Sequence, residues 1–240
     1  MNKPVNHNAK KPSVRQEMIL NERTSFAVQE AYKTLRTNVM FALPGRDCKC
    51  IGVTSPVAGE GKSTTAVNLA ISLAQIGKRV LLIDCDLRLP TVAAKLGIRP
   101  TPGLCDFLIG EVRIEEAVRN VEKYGIHVLP ASLAPADPTG LLESKQIEHL
   151  FTALRRNYEY VIVDLPPVTV VSDAVILSKC LDGYLMVIHE KQTKHRMVEQ
   201  TVRSLEFAGA KILGAVFSGS TTAEKKNKYS YYYAGHRNRK

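Results

Sequence analysis

The sequence predicts an α/β fold with a mostly parallel central sheet and helices on both faces. Three observations carry that prediction. Apolar runs at 50–53, 80–83, 126–129, 160–163, 184–188 and 212–217 alternate with segments of helical periodicity. Uninterrupted apolar strands between helices mark a parallel sheet covered on both sides. Two of the runs close on an aspartate, Asp84 and Asp164. The stretch Thr54-Ser55-Pro56-Val57-Ala58-Gly59-Glu60-Gly61-Lys62-Ser63-Thr64-Thr65 links the first run to a long apolar segment, and so reads as strand, glycine-rich turn and helix.

In chain order, residues 1–24 read as a loose, basic N-terminal arm. A helix is predicted over 25–41, where Val28, Tyr32, Leu35 and Val39 recur at helical spacing and Pro44-Gly45 ends the pattern. Glu30, Lys33 and Arg36 share one stripe of it, as residues three apart do. Over 62–76, Ala66, Leu69, Ala70, Leu73 and Ala74 form one helical face whose small residues permit close packing, and Gly77 stops it. Further helices are predicted around 114–121, 142–157, 173–181 and 194–208. The domain spans 25–220, and the polar, basic segment 221–240 reads as a flexible tail.

At 240 residues, with 45% hydrophobic and 23% charged residues, the chain has the size and composition of one globular α/β domain. No apolar run approaches the roughly 18 residues of a membrane span, and residues 1–12 lack the apolar core of a secretory signal. A cytoplasmic protein is expected, reaching the membrane only through a partner. Of the net charge of +10, the arm carries +3 and residues 223–240 carry +5, leaving +2 for the body. The body therefore has no basic excess that would point to nucleic acid. Cys48, Cys50, Cys85, Cys105 and Cys180 form no C-x-x-C pair, and the six histidines are scattered. No zinc site is expected, and the thiols read as reduced and buried.

The turn at 54–65 carries the chemistry. It fits G-x-x-x-x-G-K-[ST] except that Pro56 stands where the first glycine belongs. Small residues let backbone N–H groups converge on an anion at a helix N-terminus. Gly59, Glu60, Gly61, Lys62, Ser63 and Thr64 are thus the candidate nucleotide-binding residues. Lys62 would reach the outer phosphates and Ser63 would ligate Mg²⁺. Mg²⁺ prefers hard oxygens, and strand ends are where a parallel sheet binds ligands, so Asp84, Asp86 and Asp164 are the candidate carboxylates. Asp84 and Asp86 crowd two charges together, which suits one as metal ligand and the other as proton acceptor. Arg88 could contact phosphate or pair with these acids.

The tail is the other informative feature. Tyr229, Tyr231, Tyr232 and Tyr233 sit among Lys225, Lys226, Lys228 and Ser230, with no apolar period to bury them. They read either as a binding segment or as phosphate acceptors. Twelve residues separate Phe217 from Tyr229, enough to span roughly 40 Å, so the tail can reach an active site at the same sheet edge.

Taken together, the phosphate loop, the run Leu82-Ile83-Asp84-Cys85-Asp86-Leu87-Arg88-Leu89-Pro90, residues 160–167 and the terminal tyrosines resemble the bacterial tyrosine kinases. Within that family the chain is similar to the cytoplasmic autokinases of capsular and exopolysaccharide biosynthesis. The resemblance implies a P-loop NTPase fold of the deviant Walker type and an ATP-dependent, Mg²⁺-dependent kinase that phosphorylates its own tail. It implies Walker A residues Gly59, Gly61, Lys62 and Ser63, with Asp84 as candidate base, Asp86 near the metal and Asp164 as the Walker B carboxylate. It also implies a ring held by a Glu-x-x-Arg-x-x-Arg helix, here Glu30, Lys33 and Arg36, in which Lys33 keeps the charge but not the bidentate geometry. Implied partners are neighbouring protomers, a transmembrane adaptor, a phosphotyrosine phosphatase and other protein substrates. The alternatives are a partition-type ATPase, whose early loop lysine is Val57 here, and a nucleotide-switched scaffold. A eukaryotic-type kinase is excluded by the missing H-R-D and D-F-G signatures.

Overall fold

A computed structural model describes residues 18–219. The tyrosine cluster and the first part of the expected arm lie outside the described residues.

Seven strands form one sheet in the order β3-β4-β2-β5-β1-β6-β7. They are β1 (Lys49–Thr54), β2 (Val80–Asp84), β3 (Arg119–Val121), β4 (Ile126–Leu129), β5 (Tyr160–Asp164), β6 (Gly183–His189) and β7 (Ile212–Ser218). Every pairing is parallel except the edge pair β3–β4. The helices are α1 (Phe26–Ala42), α2 (Lys62–Ala74), α3 (Val92–Leu96), α4 (Leu104–Leu108), α5 (Ile114–Ala117), α6 (Pro138–Glu143), α7 (Lys145–Asn157), α8 (Asp173–Ile176) and α9 (His195–Phe207).

Successive strand residues point to opposite faces, and here both faces are covered. Leu81, Ile83, Val161 and Val163 pack with Ile147, Leu150, Phe151 and Leu154 of α7. Leu82, Ile162, Ile51 and Val53 pack with Val67, Leu69 and Ala70 of α2 on the other side. That two-sided burial is why the strands read as unbroken apolar runs.

Three segments differ from the sequence reading. The helix expected over 114–121 ends at Ala117, because Val118 turns extended and Arg119–Val121 pairs with β4 as an antiparallel edge. The helix expected over 142–157 is α6 and α7, separated by extended Ser144. The N-terminal arm expected to be loose through residue 24 is packed in its described part. Ile19 and Leu20 are buried, and Leu20 N–H donates to Asn68 Oδ1 at 2.9 Å while Asn68 Nδ2 donates to the Met18 carbonyl at 3.0 Å. This strap satisfies the one buried amide side chain of α2.

Candidate active site

The phosphate loop leaves β1 and enters α2 through two left-handed glycines, Gly59 at φ 83° and Gly61 at φ 90°. L-side chains are strained there, so the glycines are required by the path of the chain. Thr65 N–H donates to the Gly61 carbonyl at 2.9 Å. The N–H groups of the turn before it therefore face the loop with no carbonyl one turn back, which is the anion-binding end of a helix. Pro56, standing where the first glycine of the motif belongs, anchors the base of the loop. Its carbonyl accepts from Thr169 Oγ1 at 2.7 Å, and Thr54 Oγ1 donates to the Pro166 carbonyl at 2.7 Å.

Two strand ends then bring the acids to Lys62. Asp84 and Asp164 are register partners on β2 and β5. Lys62 Nζ donates to Asp86 Oδ2 at 2.7 Å and lies 3.3 Å from Ser63 Oγ and 3.5 Å from Asp164 Oδ1. Burial opposes the Lys62 charge, but Asp164 and Asp86 outweigh it and raise the ammonium pKa. Both oxygens of Asp164 are buried without a hydrogen-bond partner among the described residues. Burial raises its pKa, with Lys62 opposing. Burial, and then the charge of Asp164, push Asp84 up to about 8.

A fully buried carboxylate, ion-paired with Lys62 and with hydrogen-bonding capacity to spare, beside Ser63 and Asp86 fits Mg²⁺. No three His, Cys, Asp or Glu side chains form a cage among the described residues. That suits a metal held by one or two carboxylates, with waters and substrate phosphates completing its shell.

The remaining predicted residues fall into place unevenly. Asp84 is fully buried: Oδ1 accepts from Asp86 N–H at 3.2 Å, and Oδ2 from Thr91 N–H at 3.1 Å and Val92 N–H at 3.0 Å. The expected proton acceptor thus also caps the turn into α3. Arg88 touches neither of the two neighbouring acids. It pairs with buried Asp173 at 3.1 Å and donates to Thr139 Oγ1 at 2.9 Å. Glu30 and Lys33 pair with each other at 2.7 Å on α1, and Arg36 donates to the Ser72 carbonyl of α2 at 2.7 Å.

Sequence reasoning missed several contributors. Lys95 Nζ donates to Thr64 Oγ1 at 3.0 Å. Thr193 Oγ1 donates to Glu60 Oε1, and Ser218 Oγ donates to the Glu60 carbonyl at 2.7 Å. Lone hydroxyls and a lysine without a motif leave no sequence signal. The hydroxyls' role is visible only once β6 pairs with β1 and β7 with β6, and the lysine's only once α3 meets α2. A hollow of about 520 Å³ lies elsewhere, between Val168–Val175 and Phe207. Arg203 is the one ionisable side chain lining it.

A glycine turn between strand and helix, a buried lysine and acids at adjacent strand ends define a P-loop nucleoside-triphosphatase fold of the deviant Walker type. A family model described as an AAA domain matches residues 48–210. The tyrosine-protein kinase YwqD of Bacillus subtilis is 39% identical over 203 residues, covering 85% of each chain. The crystal structure of the chimerical protein CapA2B2 superposes with a TM-score of 0.78 at 32% identity, covering 82% of this chain and 86% of that one. The kinase domain of Escherichia coli tyrosine kinase ETK gives 0.76 at 28% identity, with coverage of 80% and 77%. The chain belongs to the bacterial tyrosine-protein kinases.

Proposed function

We propose that the protein transfers the γ-phosphoryl group of ATP to Tyr229, Tyr231, Tyr232 and Tyr233, between protomers, and thereby regulates capsular or extracellular polysaccharide production. The observation that carries this reading is the end of β7: Ser218 is hydrogen-bonded to the phosphate loop, so the tail begins beside the nucleotide. The kinship with tyrosine kinases supports the choice of phenols as acceptors.

The amides of residues 59–64 bind the phosphates, and Lys62 offsets charge on the outer ones. Ser63, Asp86 and Asp164 would hold Mg²⁺, which neutralises the β,γ oxygens when bound. Asp84 orients the acceptor and takes its proton, while Asp86 stays with the metal. Asp84, whose carboxyl pKa burial raises, is the candidate base. A phenol of pKa near 10 needs such a base less in a loose, dissociative transition state.

Other members of the assembly follow from the kinship. Protomers contact through Glu30, Lys33 and Arg36 in a ring. A transmembrane adaptor recruits the protein to the inner face of the membrane, consistent with the absence, among the described residues, of any helix long and apolar enough to cross one. A phosphatase resets the tail. Each phosphate adds about −1.5 to −2, so a modified tail turns from basic to acidic and leaves the acidic site.

Incubation with γ-labelled ATP tests the reading against a partition-type ATPase. Label retained on tail tyrosines and lost in Lys62→Met supports the kinase; release of free phosphate without protein label rejects it.

A further inference from the structure

We infer that Ser218 is a positioning residue for the phosphate loop, so that the root of the tyrosine-bearing tail is a working part of the nucleotide site. This rests on the reading of residues 59–64 as that site.

The argument begins with one peptide plane. The Glu60 carbonyl and the Gly61 N–H are opposite ends of a planar trans unit and point in opposite directions. Ser218 Oγ donates to that carbonyl at 2.7 Å, which turns the Gly61 N–H away from β7 and toward the anion cradle. The loop's own bond to Glu60, Val57 N–H to the carboxylate at 3.4 Å, holds the side chain and not the peptide plane. The plane pivots on Gly61, and Gly59 precedes Glu60, each glycine with positive φ, and glycine has the widest choice of backbone conformations. An outside bond has to select one.

The anchor is itself fixed. Ser218 closes β7, and its carbonyl accepts from Glu190 N–H at 3.1 Å. The next residue, Gly219, has φ 67°, and any Cβ there would run into the His189 ring. A second hold comes from the same direction. The Glu60 side chain is buried, and its carboxylate accepts from Thr193 Oγ1, which is in turn fixed by His189 N–H at 3.0 Å. The central residue of the loop is therefore gripped by the ends of β6 and β7, not by the β1 and α2 elements from which the loop springs. Because coupling between sites is reciprocal, phosphate bound in the loop also stabilises the Ser218 contact and fixes where the tail starts.

The test uses the full-length chain with Ser218→Ala and Ser218→Thr, titrated calorimetrically with Mg²⁺·ADP and assayed with ATP. Losing one orienting hydrogen bond should raise the Kd for ADP and the KM for ATP about five- to tenfold. The effect should fall on KM rather than kcat, and threonine, which keeps the hydroxyl, should restore affinity. A Kd for Ser218→Ala within twofold of wild type overturns the inference. So does an equal loss in both variants accompanied by a lowered Tm without nucleotide, which would mark Ser218 as merely structural. ADP binding needs no acceptor, so a chain that binds ADP through Ser218 but never labels its tail would reject the kinase reading and leave this inference standing.

Discussion

Asp164 and Lys62 make opposite contributions to the stability of the site. Asp164 is a buried carboxylate with neither oxygen hydrogen-bonded, while Lys62 is the buried cation between Asp86 and Asp164. Both Lys62→Met and Asp164→Asn should abolish phosphoryl transfer, yet shift stability in opposite directions. Without nucleotide, Lys62→Met leaves two buried acids uncompensated and should cost about 3 kcal/mol. Asp164→Asn removes a charge that burial disfavours and should raise Tm at pH 8, while losing the stabilisation by Mg²⁺·ADP. Thermal unfolding with and without ligand reads both. The pH dependence follows from the raised pKa values. The folded state binds these protons more tightly than the unfolded state, so the contribution is intact below the ordinary carboxyl value of 3.8. It is lost as pH rises through the folded value, which for Asp84 is about 8. Unfolding followed from pH 4 to 8 should therefore show the Tm advantage of Asp164→Asn growing with pH; a constant gap would contradict the assignment. At this scale the sequence was legible where a motif fixes a residue in space, as for Gly59, Gly61, Lys62, Ser63 and the strand-ending Asp84 and Asp164. Arg88 was not, because its partner Asp173 is 85 residues away and joins it only through the order of the strands.

The elements hold the acids in place through a few long-range contacts. Arg88 ties the turn after β2 to α8 through Asp173 and to α6 through Thr139. The pair is asymmetric: the Arg88 side chain is 38% exposed and that of Asp173 fully buried. Arg88→Ala leaves a buried carboxylate without its cation and with the Thr139 hydroxyl at 3.2 Å, whereas after Asp173→Ala the guanidinium can turn to water. Arg88→Ala should therefore cost more, about 3 kcal/mol against about 1, as measured by urea unfolding; the reverse order would contradict the geometry. The strap is a second such contact. Removing residues 1–21 takes away the buried side chains of Ile19 and Leu20 and the partners of Asn68, at a cost of about 3 kcal/mol. A truncation ending before Met18 should keep them and unfold later. Strands on both sides of the site were legible because both faces are buried. The edge β3 was not, since Arg119 and Asn120 carry no apolar pattern. The strap was hidden by its short apolar stretch within a polar, basic arm.

At the scale of the whole molecule, the parallel order places β1, β2, β5, β6 and β7 with their carboxyl ends on one edge, so loop, acids and tail root meet there. This convergence was readable in outline from strand ends and the length of the tail, whereas the hydroxyl grip on Glu60 was not. Mixing separates exchange within a chain from exchange between chains. Lys62→Met protein with an intact tail, incubated with active protein lacking the four tyrosines, should acquire label only if neighbours modify each other. The account's central claim is that the loop hands its phosphoryl group to the chain's own end. Replacing Tyr229, Tyr231, Tyr232 and Tyr233 together by phenylalanine and counting radioactivity incorporated from γ-labelled ATP tests it most directly. The account predicts near-complete loss of label with ADP binding unchanged; incorporation equal to that of the wild type would contradict it.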